Sequence, residues 1–140
     1  IEAAAGSVQL KKLNKFINQR LKNANLFKTL FENKNWCEIQ KEEKNAISSW
    51  YGFNILLKGK LYKKRNKIIN KLNKNKIETR PTMTGNFLKN PVMKKLKFKS
   101  KFKLVNADYI DNNGFFVGNY PVDLSKQIKF LYKLIREELN

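Results

Sequence analysis

The residues with the densest special chemistry lie in 77–91, Ile-Glu-Thr-Arg-Pro-Thr-Met-Thr-Gly-Asn-Phe-Leu-Lys-Asn-Pro. Arg80 is one of 4 arginines against 26 lysines. Pro81 restricts the residue before it, so Arg80 is expected to be held extended. A guanidinium fixed in this way suits paired hydrogen bonds to a phosphate or another oxyanion, or a surface ion pair. Gly85 permits a tight turn, and Thr84 and Asn86 place polar groups on it. Such a turn meets a polar ligand or only reverses the chain. Phe87 walls a ligand or fills core, and core is the expectation. Asn119 and Tyr120, after a Phe115–Gly118 strand, are a second candidate pair for the same cleft.

Other chemistry is bounded by composition. The chain has no histidine and a single cysteine, Cys37. That leaves no basis for a histidine-based zinc site, histidine general acid–base catalysis or a disulfide framework. Cys37 has no basic partner pattern around it, so a buried inert thiol is expected. Glu38, Glu42 and Glu43 read as a solvated connector. The formal charge is +19, which suits a polyanionic partner. The excess of lysine over arginine, together with 19 asparagines, is also what an AT-rich genome writes. Lys89, Lys94, Lys95, Lys97, Lys99, Lys101 and Lys103 form the densest basic run. No apolar run of ~18 residues is present, so no membrane span is expected. No apolar run follows a basic start, so residue 1 does not open a signal peptide. The opening at Ile1, in mid-pattern, reads as a fragment.

These residues need elements to position them. Apolar residues recur at threes and fours from Leu10 through Phe31, so residues 2–31 are expected to form one long helix. Gly6 inside it costs about 1 kcal/mol relative to alanine, which suggests close packing against another segment. Residues 32–47 read as irregular, with Trp36 and Cys37 tucked against the core. Residues 48–57 read as a strand containing Gly52, a site of close backbone approach, with Trp50, Tyr51 and Phe53 as core. A helix over 61–75, a short strand over 76–80 and one or two helical turns over 90–96 follow. The lysine-alternating segment 97–103 fits a strand or a loop. Then come a short helix over 104–112, a strand over 115–118 and a last helix over 124–139 capped by Asp123 or Ser125. The expected fold class is α+β: a small antiparallel sheet flanked by helices.

At this point a resemblance emerges. Ala3-Ala4-Ala5-Gly6-Ser7-Val8-Gln9-Leu10-Lys11-Lys12-Leu13, with Arg20 later, resembles the A-A-x-G-x-x-Q-L-x-x-L segment of the DegT/DnrJ/StrS-type sugar aminotransferases. Ser48-Ser49-Trp50-Tyr51-Gly52-Phe53 looks like the first strand of their small C-terminal domain. Thr79-Arg80-Pro81 through Thr84-Gly85-Asn86-Phe87, and Gly114-Phe115-Phe116-Val117-Gly118-Asn119-Tyr120, are similar to the 3-dehydratase branch, typified by GDP-4-keto-6-deoxy-D-mannose 3-dehydratase. The resemblance covers essentially the whole chain. Tyr120 stands where related members often have histidine.

The resemblance implies a pyridoxal-phosphate enzyme of fold type I acting on a nucleotide-linked keto sugar. In it the cofactor serves as an electron sink for loss of the C3 hydroxyl. It implies that residues 1–31 are the helix connecting to a large domain, and that 32–140 are the small C-terminal domain. The cofactor site, with its ring-facing lysine or histidine, would lie in the large domain, so no cofactor is expected for this chain alone. A homodimeric parent is implied, with shared active sites, a cytoplasmic location and a role in surface polysaccharide (lipopolysaccharide O-antigen) synthesis. Arg80, Thr84, Gly85, Asn86, Phe87, Asn119 and Tyr120 are the expected substrate contacts. Two other classes remain open at this stage. One is a basic nucleic-acid-binding module with Phe98 and Phe102 stacking on bases. The other is a stand-alone structural or partner-binding domain.

Overall fold

A computed structural model describes residues 2–96 and 101–140 of the chain. Its main elements are α1 (Glu2–Leu10), α2 (Leu13–Phe31), β1 (Cys37–Ile39), β2 (Gly52–Leu57), α3 (Arg65–Lys74), β3 (Thr79–Pro81), α4 (Val105–Asn113), β4 (Gly114–Gly118) and α5 (Ser125–Arg136). Single 3-10 turns lie at Gly59–Leu61, Phe87–Lys89, Pro91–Lys94 and Glu137–Leu139.

The four strands make one antiparallel sheet in the order β1-β2-β4-β3. Side chains alternate across a strand. Phe53, Ile55 and Leu57 of β2 and Phe115 and Val117 of β4 therefore share the core face, and all five are buried. Helices α2, α3 and α5 cover that face through Ala24, Phe27, Phe31, Ile68, Leu72, Ile128, Leu131 and Ile135. An aromatic column ties the layers together. Phe27 stacks on Phe31 at 4.5 Å and on Phe53 at 4.2 Å, and Tyr132 meets Phe31 edge-on at 5.2 Å. Helix α4 sits by the opposite face, where the Tyr109 hydroxyl donates to the Leu57 carbonyl at 3.2 Å. The α+β architecture, a small antiparallel sheet with helices against it, is the one expected from the pattern.

Several elements differ from expectation. The helix over 2–31 is interrupted at residues 11–12. Only its second half is amphipathic towards this core: α1 has no buried residue, and Leu10 and Leu13 are exposed. Among the described residues Gly6 has nothing within 4 Å of where a Cβ would stand, so none of them packs closely there. The connector 32–47 contains β1, whose Cys37, Glu38 and Ile39 pair with Leu57, Leu56 and Ile55. Three residues are too short a run for an alternation to be read, and the pairing comes from β2. Strand β2 starts at Gly52, not at Ser48. Asp123 precedes the last helix and accepts from the Ser125 amide at 2.9 Å. Most of the segment 97–103 lies outside the described residues.

Trp36 and Cys37 are buried as expected, and burial pushes the Cys37 thiol up to about 12. Gly52 is the close approach anticipated: a Cβ there would overlap the Phe116 ring and lie 2.6 Å from the Val117 carbonyl oxygen. Among the described residues no helix is long and apolar enough to cross a membrane.

Candidate functional site

The outer face of the sheet carries an unusual set of groups near the ends of β2, β3 and β4. Its origin is local. Trp50 adopts a left-handed backbone with φ of 50°, a conformation costly for any non-glycine residue. Four contacts impose it. The Trp50 amide takes a hydrogen bond to Ser48 Oγ (3.0 Å), and its indole N–H one to Glu42 (3.2 Å). Its carbonyl accepts from Asn119 Nδ2 (2.8 Å), and Lys28 lies over its ring at 5.4 Å. With Trp50 anchored inward, Tyr51 is thrown outward and is 68% exposed. The expectation that Tyr51 belongs to the core is thus corrected, while Trp50 and Phe53 are core.

Tyr51 stacks on Phe116 at 6.0 Å, and the Arg20 guanidinium sits over its ring at 5.4 Å. Arg80 pairs in register with Phe116 across β3 and β4, so it reaches the same face. Its Nε and Nη2 both donate to one Glu78 carboxylate oxygen, at 3.0 and 2.9 Å. The Glu78 contact holds the guanidinium even further above neutral pH than usual. The pair is open to water, with side chains 67% and 76% exposed. It contributes little to stability. It is instead a donor and an acceptor held side by side.

Two adjoining hollows meet here. One, of about 370 Å³, is lined by Arg20, Tyr51, Ile77, Glu78, Asn119, Tyr120 and Gln127 among others. The smaller, of about 110 Å³, lies between Tyr51, Glu78, Arg80, Phe116 and Gly118. They share Tyr51, Glu78 and Gly118, so Arg80, Asn119 and Tyr120 are brought to one groove.

Asn119 lines it but is committed to the fold. It is 1% exposed. Its Nδ2 donates to the Trp50 and Arg20 carbonyls (2.8 and 3.1 Å), and its Oδ1 accepts from Asn23 Nδ2 (2.9 Å). Its own carbonyl accepts from Arg20 Nε at 3.1 Å. Asn119 is therefore the knot that fixes Arg20 and Trp50, while Tyr120, 70% exposed, is free to meet a ligand.

The turn residues do not line this groove. Thr82 and Gly85 close the expected turn, with Gly85 at φ of 62°. Asn86 is buried; its Nδ2 donates to Asp108 (2.9 Å) and its Oδ1 accepts from the Leu88 amide (3.0 Å). Lys89 bridges Asp108 and Asp111 at 2.9 and 2.8 Å. The Asn86 and Lys89 contacts hold the Asp108 carboxyl below its usual range. This latch clips the 82–96 segment to α4. Thr84 is exposed on the turn. Phe87, expected in the core, is 48% exposed, because the 3-10 turn at Phe87–Lys89 lies over α4 and not over the sheet's core face.

Glu78, Tyr51, Phe116 and Arg20 are the groove residues that residue-type reasoning missed. Glu78 had a legible signal, since in an extended segment i and i+2 share a face. Tyr51 and Phe116 had none, because aromatic residues in strands read equally as core.

Residues 1–129 match the model of the DegT/DnrJ/EryC1/StrS aminotransferase family. The chain belongs to that family. Over 138 residues it is 43% identical to the GDP-4-keto-6-deoxy-D-mannose 3-dehydratase of Yersinia pseudotuberculosis, covering 98% of this chain and 35% of that protein. The structure of the E. coli GDP-4-keto-6-deoxy-D-mannose-3-dehydratase with bound hydrated PLP superposes with a TM-score of 0.81 at 38% identity, over 92% of this chain and 33% of that one. A Salmonella typhimurium lipopolysaccharide biosynthesis protein, RfbH, is 28% identical over 98% of this chain and 32% of its own length. This DegT-family chain thus spans about a third of the relatives it matches.

Proposed function

We propose that this chain acts as the small, substrate-covering domain of a pyridoxal-phosphate-dependent nucleotide-sugar 3-dehydratase or aminotransferase. The substrate class is a 4-keto-6-deoxy hexose linked to a nucleotide, and the pathway is surface polysaccharide synthesis in the cytoplasm. In this reading residues 1–31 connect to a large domain, 32–140 form the small domain, and the working enzyme is a homodimer. The observation that carries it is the Arg80–Glu78 pair beside the Tyr51–Phe116 stack, on a chain 43% identical to a 3-dehydratase.

The arrangement suits a sugar. Arg80 Nη1 has no partner among the described residues and donates to a hydroxyl or keto oxygen. The second Glu78 oxygen accepts from a neighbouring hydroxyl. The Tyr51 and Phe116 rings give the apolar wall that pockets for small ligands use. When the domain closes, this face excludes water from the sugar.

The groove residues do not make a seat for pyridoxal phosphate. The one lysine lining it, Lys76, is exposed at its rim, and the hollows are open to solvent. In this reading the cofactor is held by the large domain, and no catalytic step is assigned to the side chains of this chain.

The test is a titration of the 15N-labelled chain with GDP-mannose, a stable nucleotide sugar. Saturable shifts at Tyr51, Glu78, Arg80 and Phe116, weakened by Arg80→Ala, are expected. Absence of shifts at these four residues at saturation would overturn the reading. Tight, saturable binding of DNA or RNA at physiological salt would favour the nucleic-acid alternative instead.

A further inference from the structure

A second groove, of about 430 Å³, lies between α3 and the edge strand β3; it shares no residue with the larger hollow above and only Arg80 with the smaller one. Its walls are Arg65, Asn66, Asn70, Asn73, Thr79 and Arg80, with Ile69 and Pro81. Asn66, Asn70 and Asn73 recur at i, i+4 and i+7, so they form one stripe along α3. Asparagine is a poor helix former, so the stripe adds nothing to the helix itself.

The hydrogen bonds within the groove sort its groups by sign. Arg65 Nε donates to the Gly114 carbonyl at 2.6 Å, which pins the guanidinium and leaves Nη2 uncommitted. Asn66 Oδ1 accepts from Arg65 Nη1 at 3.4 Å, and Asn73 Oδ1 accepts from Thr79 Oγ1 at 3.2 Å. The amide oxygens of both asparagines are thus occupied, and their NH2 groups remain as donors. Arg80 has its own carboxylate, Glu78, outside the groove lining. No carboxylate lines the groove among the described residues. Among the described residues, Arg65 Nη2 and the Asn66, Asn70 and Asn73 NH2 groups remain as donors, and the acceptors left in the lining side chains are neutral, Asn70 Oδ1 and the Thr79 hydroxyl oxygen.

We infer that the α3–β3 groove is a binding site for a phosphate group, held by Nη2 of the pinned Arg65 guanidinium and the amide NH2 groups of Asn66, Asn70 and Asn73, with Arg80 at the rim. Arg65 Nη2, fixed in place by the Nε bond, offers a charge-assisted donor to such an oxyanion. Among the described residues the lining contains no aromatic ring to hold a base. Recognition is therefore of the phosphate itself, whether free, in a diphosphate or on a phosphorylated metabolite. The inference does not rest on the enzyme reading above.

The test uses the 15N-labelled chain with inorganic phosphate, pyrophosphate and a nucleoside diphosphate as separate probes, at fixed ionic strength. Expected are saturable shifts of the Asn66, Asn70 and Asn73 side-chain amides with all three, and no gain in affinity from the nucleoside. Arg65→Lys keeps the charge but loses the pinned Nη2 donor, and should weaken pyrophosphate about tenfold. Asn70→Asp changes an exposed side chain and spares the fold, and should abolish binding. A triple lysine-to-glutamine change at Lys94, Lys95 and Lys101 should leave it intact. Binding that survives Asn70→Asp, or falls with the three lysines instead, would show diffuse attraction to a basic chain and overturn the site. Tighter binding of the nucleoside diphosphate than of pyrophosphate would refute phosphate-only recognition. Because GDP-mannose shifts are read at Tyr51 and Phe116, failure of one site is distinguishable from failure of the other.

Discussion

Replacing Asn119 with alanine should destabilise the fold rather than merely alter a ligand contact. The side chain makes three internal hydrogen bonds: to the Trp50 carbonyl at 2.8 Å, to the Arg20 carbonyl at 3.1 Å and from Asn23 Nδ2 at 2.9 Å. At ~1 kcal/mol net for each, the loss is about 3 kcal/mol. Asn23 keeps the Val122 carbonyl at 2.8 Å, which limits the damage on that side. The Trp50 carbonyl loses its partner beside a tryptophan already held in a left-handed conformation. A domain margin is of the order of 5–15 kcal/mol, so the variant should fold but unfold early. Urea unfolding followed by the fluorescence of the two buried tryptophans, Trp36 and Trp50, measures the difference. Asn119→Asp is the companion variant. It keeps the shape but at neutral pH sets a carboxylate against two carbonyls, so it should cost at least as much. It should recover as pH falls and the protonated carboxyl regains a donor. A loss below about 1 kcal/mol for Asn119→Ala, with Tyr51 and Arg20 resonances unmoved, would refute the assignment of Asn119 as the knot behind the groove.

Other substitutions separate fold from site. Arg80→Ala should leave stability essentially unchanged, since its ion pair is exposed, yet weaken sugar-nucleotide binding; denaturation and titration of one sample check both. Gly52→Ala should cost about 1–3 kcal/mol, because its Cβ overlaps the Phe116 ring and the Val117 carbonyl, and thermal unfolding reads it. Glu138 is held below the ordinary carboxylate range by hydrogen bonds from Lys67 and then Lys71. Its stabilisation is present above its unfolded pKa, about 4.3, and is lost as pH falls through the lower folded value. Glu138→Gln should therefore be less stable at neutral pH and show a shallower acid-unfolding slope. Cys37, pushed up to about 12 by burial, should resist a thiol reagent at pH 8 until urea unfolds the chain.

The large elements were legible because their signals are local and repeated. The stripe Ile128, Leu131, Leu134 and Ile135 announces α5, and Ile68 with Leu72 announces α3. What escaped depends on contacts distant in sequence. β1 is three residues long and exists because Leu57 and Ile55 pair with it. The break at 11–12 falls where α1 has nothing of this core to pack against, so the Leu10 and Leu13 pattern has no buried side here. The extended setting of Arg80 was readable from Pro81, and β3 has it. Asn119 looked like a ligand contact because a buried asparagine and a binding asparagine are the same letter. Only its bonds to Arg20, Asn23 and Trp50, with its amide donating to the Tyr51 carbonyl at 3.1 Å, distinguish the two. Thr84, Gly85, Asn86 and Phe87 were grouped with Arg80 by proximity in sequence, yet the Asn86–Asp108 and Lys89–Asp111 latch takes them to α4.

The central claim is that the Arg80–Glu78 face of this domain covers a nucleotide sugar in a 3-dehydratase. The most direct test grafts this chain in place of the matching third of the E. coli enzyme, to which it is 38% identical, and measures kcat/KM for 3-dehydration of GDP-4-keto-6-deoxy-D-mannose. A working chimera whose kcat/KM falls about tenfold or more on Arg80→Ala, with cofactor absorbance and fold unchanged, is the expected result. A folded, cofactor-loaded chimera whose turnover is indifferent to Arg80 would contradict it.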